Sequence, residues 1–568
     1  MNNLKKEIYD LLDITDDTIK NWEETDYSCD INESLKMQRI LDKADIIIFA
    51  GDYDCDGICA THIGETACKS LYPNKEVYTL LPTRQEGYGL NQRIVDFCKG
   101  KALENKNVCV ITVDTGIKEK ERLESIKSSG CSVILTDHHI LQEENKLPDV
   151  DMIVNPNVSF INNPLVGINW CGAAVIYKLF ENIVTPEVRN YIMNFAGIAT
   201  IADIIELREG SWQLVRNAIN NIKINAPDNL KMLITALGRD YEHLSEDDIG
   251  FYIAPAFNAP GRLGYDSKMV LEYLNNPTEE KANKLKEIND ERKAIRDEEL
   301  ELVKNKIIEE HKENNNPIWI YLPNLHEGIV GILAGHIAEE FCTSACICTD
   351  DGKGNLKGSS RSYDDFNMYE YLKQNSGNLI KWGGHKGAGG FTLSKENFNE
   401  LEKAVTINTN RNGAIKEDSV SMSLIDIPYI SRILASIRPF GEGYREPLFE
   451  ADIDLTKVGD NAKFIGKENN HLSITSKMPK YKLIHFHHKE DSDNLRNKNK
   501  FRAYGKVHNS YYKGFCTPEM SINKIEDIDN TTEHNFDLEW YKKTIKKIKI
   551  HYYIRHIFYK KCVSNIFY

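Results

Sequence analysis

The chain has 568 residues, 41% of them hydrophobic, and carries a formal charge of −14 at neutral pH. No apolar run approaches the ~20 residues of a membrane span, and the opening Met1-Asn2-Asn3-Leu4-Lys5-Lys6 lacks the apolar region of a signal peptide, so a cytoplasmic protein without membrane contact is expected. The acidic balance excludes a surface coated with positive charge for nonspecific nucleic-acid binding, and it leaves room for a local basic cleft.

Residues 1 to 44 read as helices. The β-branched run Ile46-Ile47-Ile48-Phe49-Ala50 then reads as a buried strand that stops in Gly51-Asp52-Tyr53-Asp54-Cys55-Asp56-Gly57. Asp52, Asp54 and Asp56 alternate, so in an extended segment they share a face and repel one another unless a divalent cation lies among them. A helix follows from Ile58, and Val77 to Leu81 is the next strand. The logic then repeats twice: Val108 to Val113 ends in Asp114-Thr115-Gly116, and Ser132 to Leu135 ends in Thr136-Asp137-His138-His139. Strands alternate with helical stretches such as Lys118 to Lys127, the pattern of a parallel doubly wound sheet, whose carboxyl edge binds ligands.

Any one of these turns also reads as a polar helix cap. Three strands delivering Asp or His to one sheet edge favour a metal site, and carboxylates with a single imidazole suit Mn2+ or Mg2+ better than zinc. Asp203 interrupts the apolar helical segment Ile198 to Leu207, and a lone buried carboxylate is costly unless paired or ligating. The thirteen cysteines contain no Cys-x-x-Cys pair. Several lie inside strands (Cys109, Cys131, Cys346, Cys348), which suits reduced buried thiols.

Residues 268 to 312 are charged and nearly free of Gly and Pro, as expected of a long helix joining two domains. A second domain opens with the strand Pro317 to Leu322 and continues through His326-Glu327-Gly328-Ile329-Val330-Gly331, a turn into an apolar helix. Its glycine-rich Gly383 to Gly390 reads either as a tight hairpin or as a loop that brings backbone N–H groups, His385 and Lys386 to an anion. From about residue 430 the pattern turns to short strands, including Phe449 to Ile453 and Tyr481 to Phe486. His485, His487 and His488, followed by the polar run Asp491 to Lys500, suggest a loop insertion. Tyr541 to Tyr568 holds eight Lys or Arg and no Asp or Glu, a tail suited to a phosphate backbone or an acidic surface.

Gly51 to Gly57, Val113-Asp114-Thr115-Gly116, Thr136-Asp137-His138-His139 and Thr200-Ile201-Ala202-Asp203, in this order, resemble the four motifs of the DHH phosphoesterases. Five further stretches resemble one branch of that family, the RecJ single-strand-specific exonucleases. They are Arg84 with Gly87-Tyr88-Gly89, Asn258-Ala259-Pro260-Gly261-Arg262-Leu263-Gly264, Gly358-Ser359-Ser360-Arg361-Ser362, Gly383 to Gly390, and Arg438-Pro439-Phe440-Gly441-Glu442-Gly443. The resemblance implies an α/β fold: a parallel-sheet DHH domain (1–267), a connecting helix (268–312), a smaller α/β DHH-associated domain (313–412), a β-barrel of the OB-fold type (430–528) and a basic tail (529–568).

It further implies two divalent cations, Mn2+ or Mg2+, held by Asp54, Asp56, Asp114, His138 and Asp203. Asp114 would bridge them, and Asp52 would either ligate or neutralise. His139 would hold the scissile phosphate and Asp137 orient the histidines, while Arg84, Tyr88, Arg262, Ser359, Arg361 and His385 would bind substrate. The implied activity is 5′→3′ exonuclease action on single-stranded DNA in repair and recombination, releasing 5′-mononucleotides. The enzyme is expected to be a monomer, served by a single-strand-binding protein and a helicase. The rival readings are a DHH phosphoesterase for short oligoribonucleotides or cyclic dinucleotides, and a catalytically inactive DHH replication scaffold. The chain departs from the family pattern at Ala50, where many relatives have His, in a shortened stretch around Arg84, and at Ala256-Phe257, where an Arg-Ile pair is usual.

Overall fold

The computed structural model describes residues 2–528 except 105, 142–145, 159–164, 166–167, 404–405, 408–417, 459–461, 466–470, 487–499 and 513. These form two compact units. The first comprises residues up to 420 with 432–448 and 511–515; the second comprises 421–431, 449–510 and the chain from 516 on.

Five short apolar runs build the sheet that organises the first domain: β1 (Ile46–Ala50), β2 (Glu76–Leu80), β3 (Val108–Thr112), β4 (Ser132–Thr136) and β5 (Met152–Val154). They are parallel, in the order β2-β1-β3-β4-β5. Every residue of β1 and β3 is buried, which is why their sequences are continuously apolar rather than alternating. On one face Ile46, Ile48, Val108 and Val110 pack with Ile94 and Val95 of the helix Gln92–Ala102 and with Leu123 and Ile126 of the helix Lys120–Ser128. Each such side chain contributes about 1.5 to 3 kcal/mol of burial free energy. On the other face Phe49 lies against Gly64 of the helix Cys55–Leu71; a Cβ there would come within 2.3 Å of the phenyl ring. That helix packs against the helices Gly172–Phe180 and Pro186–Ala202. The strand order reverses direction between β1 and β3, and such a switch opens a crevice at the carboxyl ends of the strands.

The charged stretch after residue 267 is two helices rather than one, Lys268–Asn275 and Glu279–Glu309. Pro277 lacks an amide hydrogen and disfavours helical backbone at Asn276. Thr278 restarts the helix as its cap, accepting from the Lys281 amide at 3.2 Å. The second helix has 31 residues, about 45 Å at the usual rise. It leads to a five-stranded sheet ordered Lys381–His385, Ala388–Leu393, Leu356–Arg361, Ala345–Asp350, Ile318–Tyr321. The glycine-rich stretch is the hairpin of this sheet, with Gly384 opposite Gly389 and His385 opposite Ala388.

The second unit is built on a seven-stranded sheet that includes Leu448–Asp454 and Lys480–His485. Phe449, Ala451 and Ile453 are buried while their neighbours face outward, the alternation of a sheet covered on one side. His487, His488, most of the run to Lys500, and the basic tail lie outside the described residues. Among the described residues, no helix is long and apolar enough to cross a membrane. All twelve described cysteines are free, and ten of them are buried.

Candidate active site

The turn after β1 is shaped by two glycines. A Cβ on Gly51 would lie 2.1 Å from Thr61 Oγ1, and one on Gly57 would lie 2.5 Å from the Asp52 carbonyl oxygen. The chain thereby doubles back at once into the helix Cys55–Leu71. Asp54 caps that helix, its carboxylate accepting from the Gly57 amide at 3.0 Å. Asp52 accepts from the Tyr53 amide at 2.7 Å. Asp56, in the first helical turn, accepts from the Gly172 and Ala173 amides at 2.7 and 2.8 Å. The N-terminus of the helix Gly172–Phe180 therefore points at this carboxylate, as helix N-termini do at anions.

Asp114 follows β3 with φ 59°, a left-handed backbone that costs an ordinary residue about 1 to 3 kcal/mol. A Cβ on Gly172 would come within 2.4 Å of the Asp114 Cβ, so the glycine is what lets that helix approach. Asp114 Oδ1 is buried without a hydrogen-bond partner. His138 Nε2 lies 3.1 Å from this oxygen, though not in hydrogen-bonding geometry, 3.5 Å from Asp203 Oδ2 and 3.7 Å from Asp56 Oδ2. Asp203 ends the helix Pro186–Ala202 instead of interrupting it. The apolar run ahead of it is the helix, and its polar residue comes at the C-terminus, where the chain turns.

Burial, reinforced by the neighbouring acids, pushes the carboxyls of Asp52, Asp54 and Asp114 above the ordinary range and that of Asp203 up to about 8. Burial also lowers His138, leaving it neutral. Asp137 behaves differently. Burial opposes its ionisation, but it accepts from the His139 ring at 2.7 Å and from the His138, His139 and Ile117 amides, and these bonds hold it below the usual carboxylate range. Burial likewise opposes the His139 cation, and Asp137 outweighs it, raising His139 to about 9. An orphaned carboxylate oxygen, mutually repelling acids and a neutral imidazole fit a divalent cation. Ligand atoms of Asp56, His138 and Asp203 lie within 4.8 Å of one another, as do those of Asp114, His138 and His139.

A cavity of about 670 Å3 joins this edge to the second domain. Asp52, Asp114, Asp137 and His139 line one side, and Asp54, Asp56, His138 and Asp203 cluster beside them, His138 Nε2 lying 3.1 Å from Asp114 Oδ1. Arg84, Tyr88, Arg262, Ser359, Arg361 and His385 line it as well. Arg361 donates to Ser359 Oγ at 3.0 Å and to the Ser360 carbonyl at 2.9 Å. Burial and the Arg262 charge lower the Arg361 guanidinium; burial and Arg84 lower that of Arg262. Arg84 Nε is buried and unpartnered. The walls meet closely: a Cβ on Gly328 would stand 1.8 Å from the Arg262 carbonyl oxygen. Tyr88 is 66% exposed and stacks on Tyr53 with centroids 4.8 Å apart.

Several supports were not visible in the sequence. Gly172 and Ala173 hold Asp56, Asn258 Oδ1 accepts from the Cys55 amide at 2.8 Å, and Asn155 donates to the His139 carbonyl at 3.0 Å. The one local signal was the run of small residues Cys171-Gly172-Ala173-Ala174 opening an apolar helix. Ala50, Ala256 and Phe257 are all fully buried.

The chain matches three family profiles: the DHH family, N-terminal domain, over residues 46–204; the DHHA1 domain over 314–407; and the RecJ OB domain over 419–524. It is 28% identical over 449 residues to the single-stranded-DNA-specific exonuclease RecJ of Escherichia coli, covering 72% of this chain and 75% of that one. The RecJ of Haemophilus influenzae is 28% identical over 460 residues, covering 75% and 78%. The crystal structure of Thermus thermophilus RecJ in complex with Mn2+ superposes with a TM-score of 0.70 at 21% identity, over 93% of this chain and 78% of that one. Acid-bearing strand ends, a second domain that brings Ser359, Arg361 and His385 to the cavity, and a third domain, each matched by its own profile, place the chain in the DHH phosphoesterase superfamily, in its RecJ-like branch.

Proposed function

We propose that this chain is a metal-dependent exodeoxyribonuclease that degrades single-stranded DNA from the 5′ end and releases 5′-mononucleotides, in DNA repair and recombination. The observation that carries this reading is the cavity itself, where crowded acids whose repulsion a cation would relieve share one space with crowded arginines suited to an anion. Asp54, Asp56, Asp114, His138 and Asp203 would hold two divalent cations, Mn2+ or Mg2+, with Asp114 between them and Asp52 adding negative charge at the rim. When bound, such ions activate a water and neutralise charge on a leaving oxygen. Asp137 keeps His139 cationic through Nδ1, which leaves the other ring nitrogen to donate to the scissile phosphate.

Arg361, Ser359 and His385, with Arg84 and Arg262, would receive the terminal 5′-phosphate, a task suited to guanidinium forks. The exposed Tyr88 ring offers a base a stacking surface. A cavity that admitted one strand only would account for single-strand preference, and the second unit would add grip on the strand, as OB folds do. The protein would act in the cytoplasm as a monomer, with a helicase and a single-strand-binding protein supplying its substrate.

The RecJ OB match over 419–524 weighs against a phosphoesterase for short oligoribonucleotides or cyclic dinucleotides, and the intact acid set weighs against an inactive scaffold. The test is digestion of 5′- and 3′-labelled single strands with Mn2+ or with EDTA. Mononucleotides should appear at once from the 5′ label, in Mn2+ only. Release from the 3′ end, or equal digestion of duplex, would overturn the proposal.

A further inference from the structure

One cation on the acidic wall has no part in the scheme above. Lys118 follows the turn that carries Asp114, is exposed, and lines the cavity beside Thr115 and His139. Its neighbours Lys120 and Lys127 each hold a carboxylate, Glu124 and Asp149. No carboxylate lies within ion-pair distance of Lys118 among the described residues. The adjacent Glu119 is turned away: its Oε1 lies 2.6 Å from where a Cβ on Gly89 would stand, packed toward the Tyr88 loop.

The cavity therefore carries cations in two settings: Arg84, Arg262, Arg361 and His385 line it together with Ser359, and Lys118 lines it from the loop that carries Asp114. A strand whose terminal phosphate sits on the arginines and whose first linkage sits at Asp114 brings its next phosphate within reach of a long lysine side chain on that same loop.

We propose that Lys118 binds the phosphate one linkage beyond the scissile bond, on the part of the strand that the enzyme keeps after each cleavage. A lysine suits this position because a compact charge on a flexible stem accepts a phosphate in varied strand conformations and reads no base. The contact gives the enzyme a hold on the shortened strand, and it favours chains with a second linkage over dinucleotides. This inference rests on the 5′→3′ nuclease reading of the cleft.

The test uses 5′-phosphorylated oligonucleotides with a single uncharged methylphosphonate at the second or the third linkage, cleaved by wild type, Lys118→Ala and Lys118→Arg. In wild type, neutralising the second linkage should lower kcat/KM about tenfold, the scale of one charge-assisted contact. In Lys118→Ala the same change should cost about twofold or less, and Lys118→Arg should restore the wild-type loss. The third linkage should respond alike in all three proteins. An equal loss at the second linkage in wild type and Lys118→Ala, or coupling at the third linkage instead, would overturn the assignment. Failure of the nuclease reading would look different: wild type would release no 5′-mononucleotides from the unmodified strand.

Discussion

The two walls of the cavity are built from opposite deficits. On the sheet edge, carboxylates are packed until burial and mutual repulsion raise their pKa values, and one oxygen of Asp114 has no hydrogen-bond partner among the described residues. In the same cavity the half-buried guanidiniums of Arg84, Arg262 and Arg361 crowd one another, and Arg84 Nε likewise has no partner among the described residues. Burying unpaired charge costs several kcal/mol, and neither wall repays it internally. The contrast shows two groups of opposite chemistry lining one cavity, acids suited to cations and guanidiniums suited to a phosphate.

Breaking the acidic wall should have the largest effect. Asp114→Ala should lower kcat by about a thousandfold or more, since on the proposed reading it removes a ligand that two ions would share, and with it several kcal/mol of transition-state stabilisation. The same substitution should leave the Tm measured in EDTA unchanged or higher, because the relief of carboxylate repulsion offsets the poorer fit of alanine to the left-handed backbone. A lowered Tm with activity retained would make Asp114 a structural residue.

Breaking the arginine wall should act on the substrate's end group. A 5′-phosphate gains charge-assisted bonds worth about 1.5 to 3 kcal/mol each, so wild type should prefer 5′-phosphorylated over 5′-hydroxyl strands. In Arg361→Ala that preference should shrink about tenfold to a hundredfold, while the 5′-hydroxyl substrate is slowed much less. A preference that survives unchanged would move the terminal phosphate elsewhere.

The smallest effect should come from the second unit. Residues 432–448 belong to the first unit, where Arg438 holds Glu246 at 2.9 Å and Tyr444 lies against Trp22. A chain ending at Leu448 therefore keeps this packing, whereas a cut before about residue 430 would strip it. The shortened protein should cleave short oligonucleotides normally and bind long strands about tenfold more weakly, with a shallower salt dependence. Equal affinity for long strands, measured by fluorescence anisotropy, would show that the second unit is no strand-binding module.

The acidic wall was legible in the sequence because a buried strand ending in Asp is a local pattern. β1, β3 and β4 each announce themselves and their ligands within about ten residues. Asp203 was found as a polar residue in apolar surroundings, though its place at a helix end was not. What stayed hidden is non-local or small. The amides of Gly172 and Ala173 reach Asp56 across more than a hundred positions, and the Gly328 contact with Arg262 depends on how two domains meet. β5 has only three residues, too few to show a period. The stretch Gly383 to Gly390 was undecided because glycine permits both readings; it folds as a hairpin whose Gly384, His385, Gly389 and Gly390 also line the cavity, so the two readings are compatible.

The most direct test of the opposed walls is anomalous diffraction at the manganese edge from crystals grown with Mn2+ and a 5′-phosphorylated, cleavage-resistant oligonucleotide. The expected map has two anomalous peaks sharing Asp114, one of them beside His138 and Asp203, with the terminal phosphate on Arg361, Ser359 and His385. Manganese bound away from Asp114, or a strand entering with its 3′ end against the arginines, would contradict it.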